Sequence, residues 1–152
     1  MIAEYVPFVM GAVLVAATLL ELRTGRIPNW LTLVPVALFA VLIAVAPDRG
    51  ALLPQLYLAL AVFAVGLLLF AFAGFGAGAV KLMAGTALFI PLGEAWSAFL
   101  IFILTLLGVS FVIIQLRKAI GSEDSKWYVW RAAVLPMSLP IAVAGLCSLF
   151  VY

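Results

Sequence analysis

The run from Leu52 to Phe72 carries no charge in 21 residues, and Gln55 is its one strongly polar side chain. A stretch of that length crosses the roughly 30 Å hydrocarbon core of a bilayer as a helix. Lipid offers no hydrogen-bond partner to backbone groups, so an apolar segment at that depth must be helical or part of a closed barrel. Five further apolar runs flank it: about Tyr5 to Leu20, Trp30 to Ala46, about Ala79 to Leu92, Ala95 to Leu116 and Ala132 to Tyr152. The pattern predicts an all-α integral membrane protein of about six transmembrane helices, with a short fourth helix after the glycine-rich break Gly74-Phe75-Gly76-Ala77-Gly78-Ala79.

Composition supports this reading. Of 152 residues, 68% are hydrophobic and 9% charged, against about 25% charged in a soluble domain. At about 20 residues per span the length accommodates six spans and short loops, so residues 1–152 are expected to form a single membrane domain. The net charge of +2 arises from eight basic residues scattered between spans. No basic patch interleaved with aromatics is present, which argues against nucleic-acid binding. With no His and one Cys, Cys147 in the last apolar run, the usual zinc and haem ligand sets are missing, and no metal or cofactor is expected. Met1-Ile2-Ala3-Glu4 lacks a positive leader region, so the first run is expected to be a retained span rather than a removed signal.

Charge decides the topology. The fourth segment, taken as fourteen residues, extends only about 21 Å as a helix. If it nonetheless crosses, Arg23, Arg26, Lys81, Arg117, Lys118, Lys126 and Arg131 all fall on one side and Arg49 alone on the other. That split satisfies the positive-inside rule, with both termini outside. A short fourth helix implies that the glycine-rich break dips below the membrane surface, where irregular backbone must be packed in protein or face a watery cavity.

Three elements carry candidate chemistry. Glu21 ends the first run beside Arg23. An acid there is either a functional group or a helix-end charge reaching the interface; Glu4 and Glu94, at outer boundaries, favour the second reading. Arg26-Ile27-Pro28-Asn29-Trp30-Leu31 has a proline suited to the first turn of a helix and a tryptophan suited to the interface. In Gly76-Ala77-Gly78-Ala79-Val80-Lys81-Leu82-Met83 the glycines permit close approach of a helix or peptide. Lys81 at a helix start opposes the helix dipole, so it is expected to serve topology or to meet an acidic partner.

Order and spacing are more specific than any one element. Glu21-Leu-Arg-Thr-Gly-Arg-Ile-Pro-Asn-Trp-Leu resembles the first motif of type IV prepilin peptidases, an acid followed by an Ile-Pro-Asn/Asp helix start. Gly76-Ala-Gly-Ala-Val-Lys-Leu-Met resembles their second, Gly-x-Gly-Asp followed by Val-Lys-Leu. The resemblance implies an intramembrane aspartyl endopeptidase of the bacterial inner membrane, active on the cytoplasmic side, whose partner is a prepilin with its leader peptide and amino-terminal helix. Pro28, Asn29, Gly76, Gly78 and Lys81 would then line the motif and substrate site, with positions 21 and 79 catalytic. The small size is similar to the short form serving tight-adherence (Flp-type) pili. The four-cysteine insertion and methylation activity of the long forms are not expected.

Two positions depart from the pattern. The first acid is Glu21 where the family has Asp, and Ala79 stands where the family has the Asp of the second motif. Aspartyl proteolysis needs two carboxyls, one to activate water and one, protonated, to polarise the scissile carbonyl. A methyl group does neither, so this chain is expected to be inactive or nearly so, whether Ala79 is introduced or natural. Two alternatives stand beside the inactivated peptidase: a non-catalytic pilin-binding or assembly subunit, and a small proton-coupled transporter built on Glu21. The transporter calls for an acid near mid-span, whereas Glu21 lies at a helix end.

Overall fold

The computed structural model describes residues 2–120, 125–131 and 135–151, with side chains for 5–119, 125–130 and 135–151. Every regular element among them is helical: α1 (Ile2–Thr24), α2 (Asn29–Val45), α3 (Leu53–Ala73), α4 (Ala77–Ala87), α5 (Ala95–Ile120), α6 (Tyr128–Arg131) and α7 (Ser138–Phe150). Single 3₁₀ turns, Gly50–Leu52 and Leu92–Glu94, lead into α3 and α5. Three helical stretches are long and apolar enough to cross a membrane: Tyr5–Thr24, Gly50–Ala73 and Leu92–Ala119. Helices α2 and α7 are apolar but shorter, at 17 and 13 residues, and α4 has only 11. This is an all-α membrane protein.

The short elements differ from the expected spans for identifiable reasons. Helix α4 stops at Ala87 rather than running to Leu92. Pro91 disfavours helical backbone at the residue before it, and the N–H groups of Phe89 and Ile90 close i−3 bonds to Thr86 and Ala87 instead. The last apolar run becomes helical only at Ser138, with Leu135–Met137 outside any helix and Pro136 among them; its first residues, 132–134, lie outside the described part. Pro28 caps α2 from just outside, in extended backbone (φ −64°, ψ 141°), rather than filling its first turn. Its carbonyl accepts the N–H groups of Leu31 and Thr32, and its missing N–H costs no intrahelical bond, since the N–H groups at a helix start have no acceptor within the helix.

Helix α4 packs against α2, α3 and α7; α7 also packs on α1 and α5. The core therefore lies around α4 and α7. Met10, Leu14 and Ala17 of α1, Leu31 of α2, Ala79 and Leu82 of α4, and Ile141 and Ala142 of α7 form one buried cluster. Phe39, Ala59, Ala87 and Leu88 form a second, closed by Phe89 edge-on to Phe39 at 5.9 Å. The long helices α3 and α5 instead turn Leu60, Leu67, Leu68, Leu104, Leu107 and Phe111 outward, the faces that lipid covers.

Small residues set the helix separations. A Cβ on Gly145 of α7 would lie 2.6 Å from Thr86 Cγ2 and 2.9 Å from Leu14 Cδ1. One on Gly66 of α3 would lie 2.7 Å from Val80 Cγ1. With lipid as solvent there is little hydrophobic drive between helices, so close packing of this kind carries the association.

Candidate functional site

Glu21 occupies the last turn of α1. Its Oε2 accepts two hydrogen bonds from Ser138, one from the backbone N–H at 2.7 Å and one from the hydroxyl. Ser138 has no exposed surface and is the first residue of α7, whose N-cap, Met137, makes no side-chain cap. The first N–H groups of a helix have no partner within it, and a carboxylate beside them is favoured by the helix dipole. Glu21 supplies that carboxylate from 117 residues away in sequence. Among the described residues Oε1 of Glu21 accepts no hydrogen bond.

The chain leaves α1 through Gly25, which has φ +71° and donates to the Glu21 carbonyl at 2.8 Å. A Cβ there would sit 2.3 Å from the Tyr128 ring. Helix α6 thus lies against the end of α1, and Glu21, Gly25, Tyr128, Val129, Leu135 and Pro136 line a small cleft. Two basic residues lie against α6 and the residue that leads into it. The Arg117 guanidinium donates to the Val129 carbonyl through Nε at 3.1 Å and through a terminal nitrogen at 2.9 Å, and that of Arg23 lies 5.8 Å from the Trp127 ring centroid.

The second motif opens α4, and its two glycines have different surroundings. Gly76 is the N-cap, with nothing within 4 Å of a Cβ placed on it. Gly78 lies against the first motif: a Cβ there would be 3.0 Å from Ile27 Cβ and 3.1 Å from the Ile27 carbonyl oxygen. One turn on, Lys81 Nζ donates to Asn29 Oδ1 at 3.0 Å. Lys81 was expected to serve topology or to meet an acid; the partner it meets is an amide, which accepts through its oxygen. Ala79 is buried, in the same cluster as Ala17, Ile27, Leu31 and Ala142. Asn29, Gly78 and Lys81 are thereby brought together, with Ala79 beside them, while Glu21 is held by Ser138. Pro28 and Gly76 act through backbone geometry.

Ser138, Tyr128 and Gly25 were not among the residues singled out from sequence. A serine after Pro136, at the start of a helical run, is a faint signal for a helix start, but nothing in it points to Glu21. Among the described residues no group of three or more His, Cys, Asp or Glu side chains could hold a metal.

A bundle of apolar helices, with an acid at the end of the first and a glycine-flanked turn opening a short inner one, defines a class of membrane protein. Residues 8–113 match the model of the type IV leader peptidase family, and the chain belongs to that family. Membership carries a prepilin leader peptidase-type function, with aspartic-type chemistry and a prepilin as substrate, at the level of the family. No curated protein and no solved structure matches the chain.

Proposed function

We propose that this chain has the six-span architecture of a membrane aspartyl endopeptidase that removes the leader of Flp-like prepilins at the cytoplasmic face, and that it lacks hydrolysis because Ala79 replaces the second acid. The supporting observation is the junction of the two motifs. Gly78 rests on the Ile27 carbonyl and Lys81 bonds Asn29, so position 79 lies beside the segment that follows Glu21. In that reading an acid at 79 and Glu21 face a common cavity. One carboxylate takes a proton from water as the oxygen attacks the scissile carbonyl, while the other, protonated, donates to the carbonyl oxygen. Ala79 removes one of the two roles.

The test is a gel shift of a co-expressed prepilin. The chain as it stands should leave the precursor uncut, Ala79→Asp should cleave it, and Ala79→Asp with Glu21→Gln should fall back by about 10²–10⁴-fold, the usual worth of a positioned acid or base. Glu21→Asp in the Ala79→Asp background should raise cleavage if the extra methylene of Glu holds the pair off its best geometry. A folded, inserted Ala79→Asp protein that leaves Flp-like prepilins uncut would decide for the binding-subunit reading. One observation favours that second reading: Glu21 already caps α7, a structural task for which a lone acid is sufficient.

A further inference from the structure

We infer that Ser138 is the positioning residue for the acid at 21, anchoring Oε2 so that Oε1 alone is presented for proton transfer; the catalytic half of this inference rests on the peptidase reading above. A glutamate has three side-chain torsions, and holding them in a single rotamer costs side-chain entropy. A carboxylate left to rotate at the end of a helix would meet a water in the right direction only part of the time. Here both donors of Ser138 converge on the same oxygen. One of them is backbone at the first position of α7, and the serine is wholly enclosed, so neither donor can follow the carboxylate if it turns. The other oxygen accepts nothing among the described residues. An anchored oxygen and an open one are what a general base requires: the first fixes direction, the second receives the proton.

Ser138 lies beyond residue 113, outside the span that matches the family, so the anchor is contributed by a part of the chain with no motif of its own.

The anchor can be tested on the chain as it stands, without substrate. With ¹³C-glutamate labelling, the carboxylate stretch of Glu21 is assigned by its disappearance in Glu21→Gln. Ser138→Ala removes the hydroxyl donor and should shift that band, because the oxygens become less unequally bonded. An unshifted band in Ser138→Ala would overturn the inference whether or not any peptidase activity exists. In the Ala79→Asp background, Ser138→Ala should lower kcat by about 10- to 100-fold with KM unchanged, the scale of a misplaced reacting group. A rise in KM with unchanged kcat, or no change in either, would overturn the positioning role. If the band shifts but Ala79→Asp cuts nothing, the peptidase reading fails and the catalytic half falls with it, leaving Ser138 as a structural clamp.

Discussion

The two glycines of the second motif should respond unequally to the same added methyl. Gly78→Ala places a Cβ 3.1 Å from a backbone oxygen and 3.0 Å from Ile27 Cβ, inside the 3.5–4.0 Å at which such atom pairs attract. The oxygen belongs to backbone leading into α2 and cannot rotate away, so α2 and α4 must separate by a few tenths of an ångström. Overpacking of this kind costs about 1–3 kcal/mol. Alanine in a helix interior recovers up to about 1 kcal/mol over glycine, but position 78 is only the second residue of α4, so the recovery is smaller. The net expectation is about 1–2 kcal/mol of destabilisation, a 5- to 30-fold shift in the unfolding equilibrium. Gly76→Ala meets open space in extended backbone (φ −70°, ψ 136°). There a weaker N-cap and a stiffer unfolded chain nearly cancel, to within about 0.5 kcal/mol. Denaturant titration in bicelles, with Gly78→Val as the exaggerated case, measures the difference. Equal losses at 76 and 78 would refute the close approach of α4 to Ile27.

Two further expectations follow from charge and backbone. In a Cys147→Ala background, single cysteines placed beside Lys118 and beside Asp48 should label from opposite sides of the membrane, as the seven-to-one division of basic residues requires; same-side labelling would remove the six-span topology and with it the cytoplasmic placement of both motifs. Gly25→Ala should lose about 1–2 kcal/mol from its left-handed backbone alone, plus a steric loss that Tyr128→Ala relieves. A double-mutant cycle in which Tyr128→Ala recovers nothing would show that α6 does not rest on Gly25.

The long helices were legible because hydropathy and length together leave one solution: α1, α3 and α5 follow their apolar runs. For the short helices, hydropathy reports burial, not backbone. Phe89-Ile90-Pro91-Leu92 and Leu135-Pro136-Met137 are as apolar as the helices beside them, yet prolines at 91 and 136 break the ladder there. The site was half legible. The junction of Asn29 with Lys81 brings together residues of the two motifs singled out from sequence, although the nature of the Lys81 partner was not foreseen. The Glu21–Ser138 bond was invisible, since helical periodicity links only residues a few positions apart. So was the difference between Gly76 and Gly78, two identical letters separated by whether another backbone lies against them.

The unequal helix lengths reach beyond the bundle itself. At 1.5 Å per residue, α3 and α5 extend about 32 and 39 Å, whereas α4 and α7 extend only about 17 and 20 Å. Lipid that meets the long helices finds a match to its hydrocarbon; lipid that reaches the ends of the short ones does not, and must thin or admit water. A bilayer around helices of such unequal length fits the long ones and is mismatched at the short ones, so acyl-chain length becomes a variable in how well the chain sits in its membrane.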